Sequence, residues 1–443
     1  MNTNSQTHPT PLSSGEGHTD GASLLIIGAG PGGYRAAVHA AHHGLKVTIF
    51  EGGHVGGTCL NVGCIPTKTY VHSASFAEAV ERQPQVVEQL RGGVETLLAH
   101  PNITLVKERA SFIDAHTVET PSGQRFSAEN IIIATGSSSK MLPIPGVDGP
   151  RVVDSTGLLQ LKELPRRLCI IGAGVIGMEF ASVFQRFGSE VVVIEYLKEC
   201  LPMVDGDIAK RLRKQLEKRG ITFFMGAGVK AIDGAAVLFE QKGKELSVEA
   251  DVILMATGRK PNVSPDFVNA GLEFDERKGV VVNEQFQTSV PGIFAIGDVN
   301  GRQMLAHAAE MQGIHVVNSL LGQPDELDFS IMPAAIFTEP EAACVGPSED
   351  QLKAAGTPFE CHKAFYRANG KALAMKDTEG MLKLCCEPGR GRILSCHVFG
   401  AHAADLVQEA SVLMCCHATV AQLRSMVHIH PTLSELLLAA AEA

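Results

Sequence analysis

No run of roughly 18 apolar residues, the length a membrane-spanning helix needs, occurs in this 443-residue chain. No block of Lys and Arg occurs either. The 38 basic residues are outnumbered by 48 acidic ones, for a net charge of −10, which speaks against nucleic acid or an anionic membrane as partner. The first 20 residues carry Ser, Thr, Pro, Gly and His, but no apolar core for secretion and no Arg for an organelle transit sequence. Residues 1–21 therefore read as a disordered tail, and the protein is expected in the cytoplasm. Cysteine is present, but its 11 copies are odd in number and scattered, which excludes a stapled secreted scaffold. Most are expected to be small buried hydrophobes, Cys385, Cys386, Cys415 and Cys416 among them. Any disulfide that matters is expected to be catalytic.

What the chain does contain is one pattern written twice. Leu24-Leu25-Ile26-Ile27 reads as a short buried strand. Gly28-Ala29-Gly30-Pro31-Gly32-Gly33 follows, then an Ala-rich helical stretch from Tyr34 to His43, then a strand from Lys46 to Phe50 ending at Glu51. The second copy runs from Leu168-Cys169-Ile170-Ile171 through Gly172-Ala173-Gly174-Val175-Ile176-Gly177 and a helix from Met178 to the strand Val191 to Ile194, ending at Glu195. In both, the acidic residue lies 23 positions after the first glycine. Two such strand–turn–helix–strand–acid patterns with equal spacing point to two Rossmann units. Gly28 and Gly172 make the tight turn. Gly30 and Gly174 let a pyrophosphate approach the backbone, and Gly33 and Gly177 let helix pack on strand. Glu51 and Glu195 are expected to accept hydrogen bonds from adenosine ribose hydroxyls. A carboxylate repels a 2′-phosphate, so Glu195 favours NAD over NADP.

A further echo supports duplication. Ile131-Ile132-Ile133-Ala134-Thr135-Gly136, followed by Ser137, matches Val252-Ile253-Leu254-Met255-Ala256-Thr257-Gly258. Each is a buried strand running into a small-residue turn that a dinucleotide can cross closely. Phe294-Ala295-Ile296-Gly297-Asp298 is a third such strand end, with Asp298 an acceptor for a ribityl hydroxyl.

Two constellations carry chemistry. Cys59 and Cys64 lie within Gly56-Gly57-Thr58-Cys59-Leu60-Asn61-Val62-Gly63-Cys64-Ile65-Pro66-Thr67-Lys68. In a regular helix their Cα atoms would stand about 8–9 Å apart, beyond the range of a disulfide. The backbone must therefore leave the helix if they bond. Gly63 supplies that freedom, and Pro66 suits a helix expected to start just after it. Near the C-terminus, His430 precedes Pro431 and is biased to an extended or turn conformation. Glu435, expected about one turn into the helix that follows, could hold one imidazole nitrogen while the other exchanges a proton with a thiol. His428 reads as structural.

The segment Gly56 to Lys68 resembles the redox signature of the pyridine nucleotide–disulfide oxidoreductases, most closely their dihydrolipoyl dehydrogenase branch, and the pattern covers nearly all of the chain from about residue 22. The resemblance implies an α/β protein with two Rossmann-like dinucleotide-binding domains, for FAD and for NAD, plus a C-terminal α+β dimerisation domain. Residues 22–142 and 266–325 would bind FAD, 143–265 would bind NAD, and 326–443 would form the interface. It implies that Cys59 exchanges disulfides with substrate and that Cys64 lies against the flavin, with Gly57 and Thr58 alongside. Lys68 and Glu179 would meet near the flavin N5, and Met304-Leu305-Ala306-His307 would lie under its pyrimidine ring. Val175, Ile176 and Val229 would join the NAD site; no metal is implied. The reaction implied is oxidation of dihydrolipoamide on a lipoyl-carrying protein of a 2-oxo acid dehydrogenase or glycine cleavage system. A homodimer is implied too, in which His430 and Glu435 serve the other subunit's cysteines. Ala308 stands where relatives often carry Lys, and the stretch between Lys68 and Ile131 is shorter than usual. Glutathione reductase-like relatives usually favour NADP, against which Glu195 speaks. Mercuric reductase-like relatives add a C-terminal cysteine pair, where this sequence has Ala441-Glu442-Ala443.

Overall fold

Each acid that closes a repeat stands at the end of a strand that lies second from one edge of a five-stranded parallel sheet. The computed structural model describes residues 23–323 and 325–443, so the expected tail at 1–21 lies outside the described residues. The described chain forms two compact units. One is drawn from the chain up to Thr69, Glu81–Ser139 and Arg259–Leu327, the other from Tyr70–Val80, Lys140–Gly258 and Asp328–Ala443.

In the first unit, strands Ile293–Ala295, Ile131–Ile133, Leu24–Ile27, Val47–Phe50 and Ile103–Val106 lie side by side in that order, all parallel. The central strands are continuous apolar runs because both faces are covered. Leu24, Leu25, Ile26 and Ile131 to Ile133 are wholly buried, each worth about 1.5–3 kcal/mol of transfer free energy. The second unit repeats the sheet as Thr222–Met225, Glu190–Glu195, Arg167–Ile171, Val252–Met255 and Val152–Val153, again all parallel. The outermost strand is recruited differently. It is Ile293–Ala295, late in the chain, in one sheet and Val152–Val153, ahead of the repeat, in the other. Between its third and fourth strands each copy inserts a three-stranded antiparallel meander, 111–127 in one and 227–249 in the other, which no motif announced.

The helices begin earlier than the sequence suggested. Pro31–His42 and Val175–Phe187 both start right after the second glycine, because Pro31 and Val175 tolerate the first helical position and Gly30 and Gly174 serve as extended N-caps. Neither cap carries a side chain, so the first N–H groups of both helices are left for a ligand.

Residues of the C-terminal stretch form a five-stranded antiparallel sheet in the order Ala334–Ile336, Ala342–Val345, Ile393–Phe399, Met381–Cys386, Glu360–Phe365. Leu382, Leu384 and Cys386 alternate onto the face that packs against helices Ala403–Cys415 and Glu435–Glu442. Cys385 and Cys386 are buried as expected, but Cys415 and Cys416 are exposed. Cys415 ends the helix directly after buried Met414 and Cys416 caps it, outside the stripe that faces the sheet. Among the described residues no helix is long and apolar enough to cross a membrane.

Candidate functional site

The two glycine turns are built alike to within tenths of an ångström. Gly28 and Gly172 have φ of +105° and +108°, and a Cβ on either would stand 2.4 Å from the carbonyl oxygen of Ala134 or Ala256. A Cβ on Gly33 would lie 1.9 Å from Gly28 O, and one on Gly177 2.0 Å from Gly172 O. Only glycine fits at these four positions. At Gly174 nothing lies within 4 Å of an added Cβ, and at Gly30 only the Gly57 Cα does, at 3.8 Å. That space, fronted by uncapped helix N–H groups, fits a dinucleotide pyrophosphate.

Glu51 and Glu195 have a role that spacing did not reveal. Glu51 accepts the Ala29 N–H at 2.9 Å and the Gly53 N–H at 2.8 Å; Glu195 accepts those of Ala173 at 2.6 Å and Leu197 at 2.7 Å. Each acid therefore ties the end of its strand to the glycine turn. A carboxylate offers about four acceptor sites, so ribose hydroxyls can still be taken.

At the other strand ends of the first unit, the Ser137 hydroxyl donates to the Asp298 carboxylate. Arg259, which sequence reasoning passed over, binds both. Its Nε donates to Ser137 Oγ and its Nη2 to Ser137 O, each at 2.6 Å, and its Nε lies 3.8 Å from Asp298. The signal was available in the residue directly after Gly258. Thr135 Oγ1 donates to Asn262 O at 2.8 Å, while Gly136 faces open space. Gln312, wholly buried, accepts the Gly297 N–H at 2.8 Å and so braces the Asp298 turn. Met304 and Leu305 are half-buried, and Leu305 is the extended N-cap of helix Ala306–Leu320, whose second residue is His307. This N-terminus too has no side-chain cap.

Between Glu51 and the cysteines the chain turns at Gly56 and enters a six-residue helix, Gly57–Val62. Gly63 breaks it, and a second helix, Cys64–Val71, begins at once. A Cβ on Gly63 would press to 2.9 Å from Thr58 O and 3.3 Å from the Cys59 Cα, so the break depends on its having none. Pro66 is the third residue of the new helix rather than its herald, because the first turn needs no N–H there. Asn61 pins the segment, donating to Val55 O and Gly57 O and accepting from Arg91. The result brings Cys59 and Cys64 into contact. They stand as a dithiol, Cys59 half-buried and Cys64 exposed, with the Cys59 thiol hydrogen-bonded to Cys64. That bond, then burial, raises Cys59 above the ordinary thiol range, while Lys68 pulls the other way. Exposed Thr58 precedes the pair.

In the second unit, Val175 and Ile176 are half-buried at the start of the helix, and Gly258, with φ +101°, faces open space. Val229 lies at a bulge in the inserted meander. Glu179 is 4% exposed and accepts the Phe337 N–H at 2.9 Å. Glu435 is the first residue of the terminal helix, not one turn inside it. The His430–Pro431 peptide is cis, and the chain reaches Ser434 before turning helical. His430 Nδ1 bonds Glu435 Oε1 at 2.9 Å, and Oε2 accepts the Thr432 N–H at 2.8 Å. Those two bonds, His430 first, hold the Glu435 carboxyl below its usual range. With Nδ1 committed, the Nε2 lone pair is the basic site of an imidazole whose side chain is 77% exposed. His428, by contrast, has a buried ring 3.7 Å from Glu409.

The model of the pyridine nucleotide-disulphide oxidoreductase family matches residues 22–313, and that of the family's dimerisation domain matches 332–441. The mitochondrial dihydrolipoyl dehydrogenase of Pisum sativum is 37% identical over 459 residues, covering 96% of this chain and 92% of that protein. The dihydrolipoyl dehydrogenase of Geobacillus stearothermophilus is also 37% identical, covering 94% of this chain and 95% of its own. Among solved structures, the HOCl-induced flavoprotein disulfide reductase RclA from Escherichia coli superposes with a TM-score of 0.88 at 33% identity, covering 95% of this chain and 99% of that one.

Proposed function

Because this chain belongs to the pyridine nucleotide-disulphide oxidoreductase family, we propose that it oxidises dihydrolipoamide to lipoamide with FAD and NAD as its cofactors. The observation that carries the reading is the Cys59–Cys64 contact at a glycine-broken helix, directly after the first nucleotide turn. The 37% identity to two dihydrolipoyl dehydrogenases supports the substrate.

In the proposed cycle Cys59 and Cys64 begin as a disulfide. His430 Nε2 takes the proton of a substrate thiol, and the resulting thiolate attacks Cys59 Sγ. A mixed disulfide forms and Cys64 leaves as thiolate. The second substrate thiol then attacks the substrate sulfur of the mixed disulfide, the bond to Cys59 breaks, lipoamide leaves, and the proton of that second thiol passes to Cys59 while His430 holds the first. Flavin, when bound, supplies a two-electron acceptor that hands a hydride to the nicotinamide. Glu435 keeps His430 in the Nδ1–H tautomer throughout. Lys68 and Glu179 are proposed as the pair flanking the flavin. The domain division is proposed as 22–142 with 266–325 for FAD, 143–265 for NAD and 326–443 for the interface.

A homodimer is proposed as well, with the His430–Glu435 pair of one subunit serving the cysteines of the other. The dimerisation-domain match supports it, as do Val427 and Ile429 beside His430, which are 100% and 79% exposed although apolar. The partner would be a lipoyl-carrying protein and the compartment the cytoplasm, where the cysteines outside the Cys59–Cys64 pair can stay thiols.

A competing reading, reduction of another disulfide, is supported by the likeness to RclA, a disulfide reductase; reduction of a metal ion is a further alternative. Steady-state kinetics of dihydrolipoamide with NAD or NADP, and of glutathione disulfide, Hg(II) and Cu(II) with NADH or NADPH, side by side, decide. The proposal expects the highest kcat/KM for dihydrolipoamide with NAD; a higher value for any other pairing overturns it.

A further inference from the structure

The sheet of the C-terminal stretch holds a second pair of sulfurs in contact. Cys361 on the edge strand Glu360–Phe365 sits directly opposite Cys385 on its neighbour Met381–Cys386. Their sulfurs are 3.3 Å apart. Directly opposed residues of an antiparallel pair have Cα atoms about 4.5–5.5 Å apart, inside the range a disulfide accepts. Closing the sulfurs to a bond of about 2.05 Å therefore requires side-chain torsion and no change of register.

The surroundings differ for the two thiols. Cys361 is half-buried and Cys385 is 1% exposed. The adjacent Cys386 is wholly buried and joins the opposite, helix-covered face, so it does not compete. Lys363 and Lys383 flank the pair on the same face of the two strands. The hydrogen bond from Cys385 holds Cys361 below the ordinary thiol range, helped by Lys383, while Cys385 is pushed up. One sulfur is thus an accessible nucleophile and the other a buried proton donor at its side.

We propose that Cys361 and Cys385 form a second dithiol, distinct from Cys59 and Cys64, that a hydroperoxide closes into a cross-strand disulfide. The Cys361 thiolate attacks one peroxide oxygen. An S–O bond forms, the O–O bond breaks, and hydroxide leaves with a proton from solvent as water. Cys385 then attacks the sulfenic sulfur. The S–S bond forms, the S–O bond breaks, and the departing hydroxide takes the Cys385 proton. Two thiols lose two electrons, and hydrogen peroxide becomes two waters. The bond ties the edge strand to the sheet.

The test uses the flavin-loaded full chain, treated with hydrogen peroxide, capped with N-ethylmaleimide and digested without reductant. Mass spectrometry should find the peptides of Cys361 and Cys385 linked, with the link lost in dithiothreitol and absent in Cys361→Ser. The link should persist in the Cys59→Ser/Cys64→Ser double variant, which removes the other pair from exchange. Peroxide should also raise the melting temperature of the wild type relative to Cys361→Ser, since a cross-link restricts the unfolded chain. Both cysteines recovered as alkylated thiols, or Cys361 recovered as unlinked sulfinic or sulfonic acid, overturns the proposal. The wild-type mass measurement decides by itself if the variants fail to fold.

Discussion

His430 and Glu435, five positions apart, are joined across a turn. Imidazole Nδ1 bonds one carboxylate oxygen at 2.9 Å, while the other takes the Thr432 N–H at 2.8 Å. The carboxylate is thereby fixed before it fixes the ring. Glu435→Ala should leave the flavin bound and lower kcat about 10–100-fold, the usual loss when an orienting carboxylate behind a working histidine is removed. His430→Gln should cost more, about 10²–10⁴-fold. Steady-state kinetics with dihydrolipoamide check both, and wild-type turnover in Glu435→Ala would remove the pair from the proton path.

Gly174 and Gly177 separate folding from ligand binding. A methyl at Gly177 would stand 2.0 Å from Gly172 O, whereas one at Gly174 meets nothing within 4 Å. Gly177→Ala should therefore destabilise the protein by about 1–3 kcal/mol. Gly174 has an ordinary extended backbone, φ −77° and ψ −173°, so Gly174→Ala should melt like wild type. It should nevertheless raise KM for NAD about tenfold, because the methyl stands where a pyrophosphate meets the backbone. Thermal melting and NAD titration read the two effects apart. An unchanged KM in Gly174→Ala would mean that the second turn does not hold the dinucleotide.

Arg259 is 16% exposed and bonds both Ser137 and, through it, the Asp298 turn. Arg259→Ala should cost about 2 kcal/mol, the worth of hydrogen bonds made by a charged donor, and speed flavin release on dilution. Arg259→Lys should not restore either property, since an ammonium cannot reproduce the fork that reaches Ser137 Oγ and O together. Flavin fluorescence after dilution is the measurement; retention equal to wild type in Arg259→Ala counts against the clamp.

Lys383, with a side chain 3% exposed, bonds Asp205 at 2.8 Å and Glu349 at 2.5 Å. Lys383→Met strands the equally buried Asp205 carboxylate and should cost about 3–5 kcal/mol. The same cluster sets an acid limit. Hydrogen bonds from Lys353 first and Lys383 second lower Glu349 from 4.5 to about 2. A carboxyl lowered on folding stabilises fully above its unfolded value and loses that contribution as pH falls toward the folded one. Wild-type stability should therefore decline between pH 4.5 and about 2, with a shallower slope in Lys383→Met. Denaturant midpoints across that range test it, and parallel slopes for the two proteins would place the acid sensitivity elsewhere.

The repeat was readable because its causes are local. A glycine that must have φ above +100°, an apolar run of four and an acid 23 residues on each constrain their own neighbourhood, so order along the chain settles two nucleotide turns. The cysteine segment was readable for the same reason: Gly63 between two short helices states where the backbone breaks. What tertiary structure decided is whatever depends on residues far apart in sequence. Arg259 reaches Ser137 across 122 positions and Lys383 reaches Asp205 across 178, and nothing near either residue says so. Cys361 faces Cys385 only because an edge strand takes one register among several. Glu435 opens its helix, rather than sitting inside it, because the chain first has to bury Leu433 in the core. Local backbone strain is encoded where it occurs, whereas a long-range contact exists only once burial has chosen which strands and helices pack together.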